Sequence, residues 1–124
     1  MNAEFNGFIV RTDQRVKEGG ENSAPSPYEY FLSSLATCAG IYVLSFCQER
    51  KIPTEGISLV QRLEYGKKED GKPFLEKIVL EIIVPPEFPE KYHKALIKVA
   101  DQCAVKKTIM NPPKIEVKTT VKAG

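Results

Sequence analysis

Cys38, Cys47 and Cys103 are the residues of this chain with the clearest capacity for chemistry. A thiolate is a nucleophile, and once oxidised to a sulfenic acid it condenses with a second thiol to a disulfide that can be reduced again. That cycle needs two sulfurs within reach of one another. Cys38 and Cys47 stand nine residues apart on one predicted helix, about 180° around it, so they cannot bond within a subunit. Cys47 reads as a small buried hydrophobe. Cys38 and Cys103 fall in two different helical segments that must pack into the same core. If their Cα atoms approach to about 4.4–6.8 Å they can form a disulfide; otherwise they are two more buried apolar residues. The residues alone leave both readings open.

Other chemistries find little to stand on. The single histidine, His93, has no cysteine or carboxylate at ligand spacing, so no zinc site is expected and the residue reads as helix surface. There is no GxGxxG, P-loop or HExxH, and no second histidine for a cysteine–histidine pair. No cofactor is implied. The formal charge of +2 is small and evenly spread, which argues against nucleic acid as a partner. Lys106, Lys107 and Lys114 form the one loosely basic patch and read as a solvated face.

The element that must position Cys38 is SPYEYFLSSLATCAGIYVLSFCQ, residues 26–48. Ser26 suits an N-cap, Pro27 the first helical position, and Glu29 completes a capping box. Gln48, Glu49 and Arg50 restore polarity, and Pro53 limits any continuation. No charge occurs between Tyr30 and Gln48. Serines, a threonine and a glycine nevertheless dilute the apolar content, and a membrane span is rejected. A helix of about 35 Å that is apolar on every side must be enclosed by protein. A chain of 124 residues has little left over to enclose it, which predicts a partner subunit.

The rest of the chain reads as one α+β domain, residues 1–124. Ile57, Leu59, Leu63 and Tyr65 alternate with polar residues, and Ile78, Leu80, Ile82 and Val84 do the same beyond an Asp70-Gly71 turn, which predicts a long hairpin. Pro89 opens a second helix, with Tyr92, Leu96, Val99 and Cys103 along its apolar stripe. A short helical turn over 105–109 and a closing strand over 115–121 follow. An opening strand over 5–11 leads into the polar loop TDQRVKEGGENSAP, long enough to carry function. The opening MNAEFNGF lacks the pattern of a signal peptide, so a cytoplasmic setting with reduced thiols is expected.

SPYEYFLSSLATCAG together with DQCAVKKTIM resembles the OsmC/Ohr family, and the lead-in GGENSAPSPYEY is similar to its OsmC-like branch. The resemblance runs from about Thr12 to Val117. It implies an OsmC-like fold: an intertwined homodimer with long central helices packed against antiparallel sheet. It also implies thiol-dependent reduction of organic hydroperoxides, with Cys38 as the peroxidatic residue, Cys103 as the resolving one, and an external dithiol as reductant. A cation on the loop before the helix, held by a glutamate, would stabilise the thiolate. Arg15 is favoured for this over Arg11, with Lys17 a weaker substitute. The chain departs from the peroxidase pattern in that Tyr28 stands where the glutamate is expected and Glu29 lies one residue later, so Glu29 reads as a helix cap or as the arginine holder. The alternative is a non-catalytic homodimer on the same fold that binds a small apolar ligand or senses redox state.

Overall fold

A computed structural model describes residues 1–123. The chain opens with a tight hairpin, β1 (Asn2–Phe5) and β2 (Phe8–Arg11), paired from Asn2 with Arg11 to Phe5 with Phe8. Asn6 and Gly7 both take positive φ, 48° and 81°, the backbone that a two-residue hairpin turn requires. The single strand expected over 5–11 is therefore two short strands. The Asn-Gly pair between apolar residues was the signal for the turn.

The loop that follows carries a 3-10 turn at Val16–Glu18 and delivers the chain to α1 (Pro27–Glu49). The helix begins as its sequence dictates. Ser26 Oγ accepts from the Glu29 N–H, and the Glu29 carboxylate accepts from the Ser26 N–H, closing the capping box with Pro27 at the first position. Lys51, at φ 57°, turns the chain out of the helix, and the Ile52 N–H closes the end on the Cys47 carbonyl at 2.9 Å.

β3 (Ser58–Lys67) and β4 (Pro73–Ile83) form the expected antiparallel hairpin. Its turn is held by Asp70 Oδ1 accepting from the Lys72 N–H, with Gly71 at φ 81°. Leu59 and Leu63 face inward, but Tyr65 does not: it is 60% exposed. The ladder shifts register between Glu64 and Tyr65, where β4 carries one extra residue, Glu76, and the apolar clusters that take in Leu59 do not reach Tyr65. A 3-10 turn at Glu90–Tyr92 runs into α2 (His93–Asp101), and α3 (Ala104–Met110) follows directly. His93 lies on the surface, its ring stacked on Phe88.

Two apolar clusters hold these elements together. Val43, Phe46 and Cys47 of α1 meet Phe88 and Leu96 in one. Leu35, Ala39 and Cys103 form the other, with Cys38, Leu59, Ile78, Leu80 and Val105 packed against it. α1 is long and apolar enough to cross a membrane by length and composition alone. Here one face of it is core, while Ile41 (62%) and Leu44 (42%) on the opposite face are exposed.

The closing strand expected over 115–121 does not form within the chain. Ile115, Val117 and Val121 are almost fully exposed and the segment belongs to neither sheet. Alternation of apolar residues prepares a strand, but only a neighbouring sheet edge supplies the hydrogen bonds that make one.

Candidate functional site

Cys38 sits half-buried in the middle of α1, and Cys103 is fully buried between α2 and α3, where it caps α3. The Cys103 sulfur accepts from the Lys106 N–H at 3.4 Å, and its S–H is directed at the Leu35 carbonyl of α1 at 3.9 Å. Both thiols are free. They share one apolar cluster, so the fold brings together the two cysteines that are 65 residues apart in sequence.

The surroundings treat the two sulfurs differently. The Cys38 thiol is held below its ordinary value, chiefly by the backbone N–H of Val105, with smaller help from the Cys103 thiol and the Ala104 N–H, against the opposing effect of burial. A thiolate there is met by amide dipoles at the start of α3. Cys103 is pushed up, first by burial and further by Cys38 itself. Of the two thiols, the arrangement favours ionisation of Cys38 over Cys103. Cys47 lies in the other cluster, where burial raises its thiol, offset in part by Arg50.

Arg15 is gripped at both ends. Its Nη2 lies 2.5 Å from Glu29 Oε2, and its Nη1 donates to Asn22 Oδ1. Glu29 therefore performs both of its expected tasks, one oxygen capping the helix and the other holding the guanidinium. Its carboxyl is held below the usual range, mainly by the Ser26 N–H and also by Arg15. Tyr28, in the place where a glutamate was expected, lies against Phe31. Arg11 ends β2 and Lys17 sits on the 3-10 turn, both exposed.

The Arg15–Glu29 pair and Cys38 are not brought together within the chain. Glu29 precedes Cys38 by nine residues, about 13 Å along the axis and on the opposite side of the helix. The groups acting on the Cys38 thiol are all backbone or thiol groups, none of them a cation.

Two contributors went unread in the sequence. One is the pair of N–H groups at Ala104 and Val105, which the Cys-Ala-Val order at the start of a helix could have revealed. The other is the loop around Asp13 and Asn22. A cavity of about 410 Å³ opens between β4 and the last two helices, walled by apolar residues such as Leu35, Leu80 and Ile97 and by the charged Glu76, Lys77, Asp101 and Lys106; neither cysteine lines it.

The OsmC-like protein family model matches residues 20–118, most of the chain and both cysteine segments. The chain belongs to the OsmC-like family. Solved structures agree on the OsmC-like fold. An OsmC-like protein of unknown function from Vibrio cholerae aligns with TM-score 0.64 at 18% identity, over 86% of this chain and 76% of its own. An OsmC-like hydroperoxide resistance protein from Jannaschia sp. CCS1 aligns with TM-score 0.62 at 21% identity, over 92% and 75%. An organic hydroperoxide resistance protein from Elizabethkingia anophelis gives TM-score 0.56 at 20% identity, over 85% and 75%. No curated protein matches in sequence. The OsmC-like α+β architecture expected from the cysteine segments, with its long helix and antiparallel hairpins, is thus present.

Proposed function

We propose that this OsmC-like protein is a thiol peroxidase for organic hydroperoxides. The observation that carries the reading is the opposite perturbation of Cys38 and Cys103 inside one apolar cluster. The Cys38 thiolate attacks the distal oxygen of ROOH; the O–O bond breaks, the alkoxide takes up a proton and leaves as ROH, and Cys38 becomes a sulfenic acid. The Cys103 thiol then displaces water from that sulfenic acid, forming the disulfide. An external dithiol reduces the bond, restores both thiols and is itself oxidised. The Val105 and Ala104 N–H groups favour the thiolate, and the apolar cluster around Cys38 favours an alkyl or aryl hydroperoxide over hydrogen peroxide. Three free thiols suit a reducing compartment such as the cytoplasm.

The working form we infer is a homodimer. Ile41 and Leu44 on α1 and the alternating Ile115, Val117 and Val121 are exposed in the single subunit, and a second copy would cover them. Arg15, held by Glu29 on the far side of α1, would serve a thiolate either after the 12–25 loop moves or from the neighbouring subunit. Cys38→Ser tests the reading: turnover of cumene hydroperoxide with dithiothreitol is expected to vanish, and turnover at the wild-type rate would refute it.

A further inference from the structure

The loop before α1 is tied around one carboxylate. Asp13 accepts from the Gln14 N–H at 2.8 Å, the Glu21 N–H at 3.2 Å, the Ser23 N–H at 2.9 Å and the Ser23 hydroxyl at 2.6 Å. These bonds, led by those from Ser23, hold its carboxyl far below the usual range. Residues 21 and 23 flank Asn22, whose own N–H donates to the Gln14 carbonyl at 3.0 Å. Gly20 lets this knot close, since a Cβ there would lie 2.2 Å from the Gln14 carbonyl oxygen. The consequence falls on Asn22. Pinned on both sides, it takes φ 56°, a left-handed backbone that asparagine tolerates better than most residues. From there its side-chain carbonyl meets Arg15 Nη1, opposite the Glu29 grip on Nη2.

We propose that Asn22 is a positioning residue for Arg15, and that the Asp13 knot exists to present it. A guanidinium held by a single carboxylate can still swing about that contact. A second acceptor on the other nitrogen fixes its plane and leaves its remaining N–H groups aimed in one direction. The inference rests on the reading of Arg15 as the cation of the peroxidase site. Its structural part, the two-sided grip, stands apart from that reading and can be measured separately.

The test uses Asn22→Gly, which adopts the same positive φ without strain while deleting the acceptor, and Asn22→Asp, which keeps an acceptor. Arg15→Ala is the reference. Arg15 labelling by phenylglyoxal, followed by mass spectrometry, reads the grip, and kcat/KM for tert-butyl hydroperoxide reads its use. Asn22→Gly is expected to speed labelling about fivefold and lower kcat/KM about tenfold, in the range of a lost charge-assisted hydrogen bond. Asn22→Asp should stay within about twofold of wild type on both. Added to Arg15→Ala, Asn22→Gly should cause no further loss. Wild-type labelling in Asn22→Gly would overturn the grip whatever the activity. Faster labelling with unchanged kcat/KM, while Arg15→Ala is impaired, would overturn the positioning role alone. Full activity in Arg15→Ala would overturn the positioning role together with the catalytic reading of Arg15.

Discussion

The thiols of Cys38 and Cys103 act on each other in opposite senses: Cys103 helps to hold Cys38 down, and Cys38 helps to push Cys103 up. This asymmetry comes from where the chain puts backbone. Cys38 lies in mid-helix, where its own turn offers no free N–H, yet the start of α3 brings the Val105 N–H toward it. Cys103, in contrast, is sealed between α1 and the junction of two helices.

The first prediction concerns thiol reactivity against pH. A thiol whose folded value is lowered gains thiolate at a lower pH than an ordinary cysteine, for which the midpoint is about 8.5. Iodoacetamide labelling of native protein should therefore strike Cys38 first, with a midpoint below that of a free cysteine. Cys103 should label appreciably only after unfolding. Val105→Pro removes the principal N–H at a helix position that tolerates proline, and is expected to move the Cys38 midpoint upward. An unmoved midpoint would show that the amide is not the cause.

A second prediction separates the three cysteines by role. Cys103→Ser leaves the sulfenic acid at Cys38 with no thiol to resolve it, so dimedone should trap Cys38 after one equivalent of hydroperoxide, and dithiol-supported turnover should fall at least tenfold, about 1.4 kcal/mol in the barrier. Cys47→Ala empties a small volume in the other cluster and should lower stability by about 1 kcal/mol, with turnover kept. Loss of turnover in Cys47→Ala would move the redox pair away from Cys103.

A third prediction follows from the lowered carboxyl of Glu29. Because its folded value lies below the unfolded one, the stability it contributes is complete above the usual carboxylate range. That contribution is lost as pH falls through the lowered value. In thermal melts, the advantage of wild type over Glu29→Gln should be largest near neutral pH and should disappear in acid. Ser26→Ala, which deletes the other half of the capping box, is expected to lower stability by about 1 kcal/mol at all of these pH values.

Legibility in the sequence tracked how local each signal was. α1 could be read to within a residue or two because Ser26, Pro27 and Glu29 encode its start within four residues. The β3–β4 hairpin was legible for the same reason, through Asp70-Gly71 and alternation on both arms. Tyr65 was misplaced because the alternation of β3 runs on past the residues that pack on the apolar clusters, which take in Ile57 and Leu59 but not Tyr65. Asn6-Gly7 was a local signal that went unread. The 115–121 segment has the pattern of a strand, but its pairing depends on a sheet edge that the subunit does not provide. At the candidate site the types of the key residues were plain, whereas the groups that tune Cys38 are backbone amides 66 and 67 residues further along the chain, which side-chain types do not reveal. The separation of Arg15 and Glu29 from Cys38 was, by contrast, implicit in a spacing of nine residues on a helix.

Whether Cys38 and Cys103 form one redox pair is read most directly by peptide mapping after brief exposure to one equivalent of cumene hydroperoxide. A single intramolecular bond between the Cys38 and Cys103 peptides is expected, with Cys47 still alkylatable under denaturing conditions. A bond involving Cys47, or two unlinked thiols at 38 and 103 after the peroxide has been consumed, would contradict the pairing.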